Sequence, residues 1–94
     1  MKVTEVGIGI GSVVYSKAGR DAGNCYLIVA ADKEGYFFLV DGEARTIAKP
    51  KRKNMRHFKT KGEELPAIRD KILAKKQVFD SEIRSALRMF KAEQ

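Results

Sequence analysis

The chain of 94 residues is poor in the side chains from which most active sites are made. Cys25 is the only cysteine, so an internal disulfide is excluded and a thiolate zinc site has too few ligands. A single thiol inside an apolar run reads as a buried structural residue in a reducing compartment. His57 is the only histidine, and nothing in sequence pairs it with a nucleophile. No apolar run approaches the roughly eighteen residues of a membrane helix, and the first residues lack an apolar core behind a basic start. These absences predict a soluble cytoplasmic protein with no metal, cofactor, membrane or small-molecule substrate.

Acid is also missing, in one place. The formal net charge is +7, yet residues 1–44 carry a net of −2 and residues 62–94 a net of +1. Residues 45–61 hold Arg45, Lys49, Lys51, Arg52, Lys53, Arg56, Lys59 and Lys61 with no Asp or Glu. Such a block favours a polyanion, because each phosphate neutralised by Lys or Arg releases condensed counterions. Lys49, Lys51, Arg52, Lys53, Arg56, His57 and Lys59 are therefore candidate nucleic-acid contacts. The plain alternative is a solvated basic loop with no partner.

A chain of this length builds one domain with one modest core. Its first half alternates short β-branched and aromatic runs with turn signals, which predicts strands over 12–17, 25–31, 36–41, 44–47 and 55–58. Strand alternation over 55–59 would put Arg56 and Phe58 on one face and His57 and Lys59 on the other. After Glu63 the apolar period becomes helical. Pro66 suits a first turn, and Ile68, Ile72 and Leu73 define a helix ending near Lys76. Asp80 or Ser81 can cap a second helix, with Ile83, Leu87 and Phe90 on one stripe. The expected organisation is a β-domain over 1–62 and a helical C-terminal appendage over 63–94.

The strand-turn-strand from Gly11 to Ala31 carries the most specific pattern. Gly19 and Gly23 flank Arg20, Asp21 and Ala22, and glycine serves where backbone takes positive φ or lies close to another chain. Asp21 can fix the turn through its own backbone, leaving Arg20 pointing outward. Gly11-Ser12-Val13-Val14, then Ala18-Gly19-Arg20-Asp21-Ala22-Gly23, then Phe38-Leu39-Val40-Asp41-Gly42 resemble the KOW motif. The likeness extends to the archaeal and eukaryotic large-subunit ribosomal protein fourteen family, over residues 6 to 60, and a bacterial KOW-domain relative fits as well. Asn24 stands where that family commonly has lysine. The resemblance implies a mainly β fold: a small SH3-like five-stranded barrel, here followed by two short helices. It also implies RNA binding, with Lys17, Gly19, Arg20, Asp21, Gly23 and Asn24 meeting ribosomal RNA on the ribosome. KOW barrels also dock proteins, so an interaction module of the transcription or translation machinery, using the barrel and the Ile83-Leu87-Phe90 stripe, is the alternative.

Catalysis finds no support. Gly7-Ile8-Gly9-Ile10-Gly11 lacks G-x-G-x-x-G spacing and leads into a strand instead of a helix. Asp41 and Glu43 flank a turn that explains them without a reaction.

Overall fold

The computed structural model describes residues 9–17 and 24–91. Five strands form: β1 (Ser12–Ser16), β2 (Cys25–Ala31), β3 (Tyr36–Val40), β4 (Lys51–Asn54) and β5 (Phe58–Glu64). All pairings are antiparallel, in the order β4-β3-β2-β1-β5. The protein is thus mainly β, as expected. Among the described residues no ladder joins β4 to β5, so the barrel is open, and a single 3-10 turn (Met55–His57) carries the chain from one outer strand to the other.

Period-two alternation divides the apolar residues between the two faces of the sheet. Val14, Tyr26, Ile28, Phe37, Leu39 and Phe58 make one cluster, in which Tyr26 and Phe58 meet edge to face at 6.0 Å. Val13, Tyr15, Cys25, Leu27 and Val40 turn to the other face, where Ile68, Ile83 and Leu87 of the helices join them. Cys25 is fully buried there, its thiol directed at the Leu87 carbonyl oxygen.

The helices are α1 (Pro66–Leu73) and α2 (Asp80–Lys91). Ile83 and Leu87 have no exposed surface, and burying each such side chain is worth about 2 kcal/mol. The stripe read as a surface for a partner protein is thus turned inward at these two positions. Helix α1 stops before Lys76. The N–H of Lys76 donates to the Lys71 carbonyl and that of Lys75 to Ile72, a Schellman closure with Lys75 at φ 59° where glycine is usual.

Three sequence expectations shift. Residues 44–47 are not a strand, because the Asp41 carboxylate accepts the N–H groups of Glu43 and Arg45 and turns the chain. The fourth strand is instead Lys51–Asn54, within the basic segment. Residues 55–57 are a 3-10 turn, capped by the Asn54 side chain on the Arg56 N–H at 3.0 Å, so strand alternation does not apply there and Arg56, His57 and Lys59 are all exposed. Strand β5 begins at Phe58 and continues to Glu64, past the expected boundary at Gly62.

The start of α2 is built for contact with the β3–β4 loop. The Glu82 side chain reaches back to the Phe79 N–H, so the helix is capped without Asp80 or Ser81. Asp80 is released to accept the Ile47 N–H, and Arg84 donates to the Gly42 carbonyl. Gly42 has φ +82°, and a Cβ there would lie 2.9 Å from the Arg84 nitrogen. Only glycine allows this approach.

Candidate nucleic-acid interface

Lys17 and Asn24 form the stem of the β1–β2 turn, both exposed, with the Ser16 N–H donating to the Asn24 carbonyl at 2.9 Å. Gly19, Arg20, Asp21 and Gly23 lie outside the described residues. The Lys17 N–H donates to the His57 carbonyl at 3.2 Å, which fastens the stem to the 3-10 turn. Ser16 pairs with Phe58 and Tyr15 with Lys59 in the β1–β5 ladder. Lys17, Asn24, Arg56, His57 and Lys59 are therefore gathered at one end of the sheet. Among the described residues, ion pairs engage Arg52, Arg69 and Lys71, not Lys17, Arg56 or Lys59.

Lys61, the last cation of the acid-free segment, joins this group. Its ammonium sits 4.6 Å from the centroid of the Tyr15 ring, whose hydroxyl donates to Glu63. Lys59, Lys61 and Glu63 alternate along β5.

The cations of β4 divide by face. Lys51 and Lys53 are half-buried opposite Leu39 and Phe37, whereas Arg52 lies opposite Phe38 on the other side. Arg52 is occupied: its Nε donates to Asp32 and its terminal nitrogen to Glu34, each at 2.8 Å. The guanidinium also lies 3.9 Å from the Tyr36 ring centroid. Burial alone would push the Asp32 carboxyl up, but the Tyr36 N–H, the Arg52 side chain and the Glu34 N–H together hold it below the usual range. The hydrogen bond to Asp32 raises Arg52 further above its ordinary value. With two carboxylates on it, Arg52 presents little net charge to a phosphate.

Lys49 is exposed in the β3–β4 loop, its N–H donating to the Thr46 carbonyl at 3.1 Å. That loop is tied to α2 through Ile47 and Asp80, so Lys49 hangs from a different support than the stem cations.

The arrangement offers several cations on hydrogen-bonded backbone, suited to holding an extended anion. Among the described residues no three metal-ligating side chains converge, and no helix is long and apolar enough to cross a membrane. No family model and no curated protein matches this chain.

Proposed function

We propose that the protein binds structured RNA through the sugar-phosphate backbone, as a cytoplasmic ribosomal or ribosome-associated component of translation. The observation that carries this reading is the hydrogen bond from the Lys17 N–H to the His57 carbonyl. It brings Lys17, with Asn24 beside it across the β1–β2 stem, and the acid-free segment to one end of the sheet. The KOW resemblance supports the same reading.

Lys17, Arg56 and Lys59, with Arg20 of the loop, are assigned to phosphates. Asn24 and His57 supply hydrogen bonds, and Lys61 extends the row along β5. The KOW resemblance adds Gly19, Asp21 and Gly23 to the same contact. Lys49, Lys51 and Lys53 lengthen the path, while Arg52 clamps the β2–β3 hairpin. Contacts of this kind position a protein on RNA by shape and carry little base information. The protein acts by placement, not by catalysis.

The test is binding to a ribosomal-RNA hairpin over a salt series, comparing the native protein with Lys17→Glu/Arg56→Glu/Lys59→Glu. Each lost phosphate contact lowers the slope of log affinity against log salt by about 0.7 to 0.9, so the triple variant should lose about two units. An unchanged affinity and slope would overturn the proposal.

A further inference from the structure

A second surface lies where the helices meet the sheet, and it is apolar. Val29 and Phe38 from the sheet, Ile47 and Pro50 from the β3–β4 loop, and Ile72 from α1 line an open groove of about 420 Å³, with Lys76 at its edge. The volume falls within the range of ligand sites and accommodates a few large apolar side chains. The walls are fixed in advance. The Ile47 N–H is held by Asp80, and the Thr46 hydroxyl accepts the Lys49 N–H at 3.2 Å. Such preorganisation reduces the entropy lost on binding.

Charge selects the occupant. Lys76 belongs to the lining, Lys75 precedes it, and Lys49 precedes the lining residue Pro50. Of the carboxylates close by, Glu82 is balanced by Lys71 at 2.8 Å, while Asp80, bonded to the Ile47 N–H, keeps its single charge against these lysines. An apolar trough with Lys76 in its lining and Lys49 and Lys75 next to lining residues in sequence suits an apolar segment that carries its own acids. The geometry points to docking of a partner protein through an acidic peptide segment bearing leucine or phenylalanine, on a face supported by α2 and separate from the stem cations. RNA and such a peptide would then be held by one domain at two sites that meet at Lys49.

The intact protein, used to select from a random-peptide display library, should enrich sequences with large apolar residues beside Asp or Glu. A synthetic copy of the most enriched peptide should shift the methyl resonances of Ile47 and Ile72. Its affinity should fall about tenfold in Lys49→Glu/Lys76→Glu, two exposed substitutions that leave the core intact. It should stay unchanged in Lys17→Glu/Lys59→Glu, which separates this site from the RNA surface. The proposal is overturned if nothing is enriched, if enriched sequences lack acids, or if binding follows the stem lysines. It is equally overturned if laurate shifts the groove methyls and the peptide does not.

Discussion

The carboxylate of Asp80, the first residue of α2, accepts the backbone N–H of Ile47 at 2.8 Å. A helix start thereby holds in place the loop that carries Lys49. Because Glu82 caps the Phe79 N–H independently, Asp80→Ala should release the loop without unwinding the helix. The expected cost is about 1 kcal/mol. Hydrogen exchange checks it: the Ile47 amide should lose protection while those of Ile83 and Leu87 keep theirs.

Gly42 sits against the same helix end. A Cβ there would press on Arg84 and, closer still, on the Asp80 carbonyl, whereas Gly35, also at positive φ, has open space around it. Gly35→Ala should cost about 1 kcal/mol from backbone strain alone. Gly42→Ala adds the clash and should cost more than about 2 kcal/mol. Thermal unfolding of the two variants side by side measures the difference. Equal losses would show that contact with α2 contributes nothing.

Lys75 closes α1 in the left-handed region at φ 59°. Glycine adopts this conformation without the Cβ penalty, at the cost of greater freedom in the unfolded chain. Lys75→Gly should therefore stabilise the protein, by up to about 1 kcal/mol. Urea denaturation with an unchanged slope is the measurement.

Among the described residues, Asp32 and Glu82 are held below the ordinary carboxyl range. The hydrogen bond from Lys71 is the main cause for Glu82, followed by the Phe79 N–H, and Asp32 is held down by the bonds described above. A carboxyl depressed in the folded state contributes stability above its unfolded pKa, and the contribution is lost as pH falls through its folded value. Stability should hold from neutrality to about pH 5 and decline below about pH 4. Asp32→Asn and Glu82→Gln should each flatten that decline in a series of melting temperatures.

Arg52 gives the sharpest contrast with the stem cations. Its charge is balanced by Asp32 and Glu34, so Arg52→Gln should leave the salt slope of RNA binding unchanged. Lys59→Glu should lower it by about 0.7 to 0.9. A slope change in Arg52→Gln as large as that in Lys59→Glu would refute the assignment of Arg52 as a hairpin clamp.

How legible these features were in the sequence depended on the range of the forces that make them. Strands β1, β2 and β3 could be read directly, because their β-branched and aromatic residues alternate between two buried faces. The helices could be read from Ile68 and from Ile83 with Leu87. Strand β4 could not: Lys-Arg-Lys-Asn has no apolar residue, and its extended form comes from pairing with β3. The short run at 44–47 looked like a strand until the Asp41 side chain took up the nearby N–H groups. The candidate site divided in the same way. Its composition was evident, but the removal of Arg52 from it depends on acids brought near by the β2–β3 hairpin and the pairing of β4 with β3.

The sheet is open, and both of its outer strands are cut from or begin in the acid-free segment. Unpaired edges invite other chains to add strands, and lysine along an edge is a common defence. Among the described residues β4 and β5 have no outer partner strand, and their lysines would oppose edge-to-edge growth of the protein. Erasing their charge, as Lys→Gln changes would, should remove that repulsion from both strands at once, whereas Lys→Glu replaces one repulsion with another. Loss of binding and loss of solubility are therefore separable by the sign of the substituted charge.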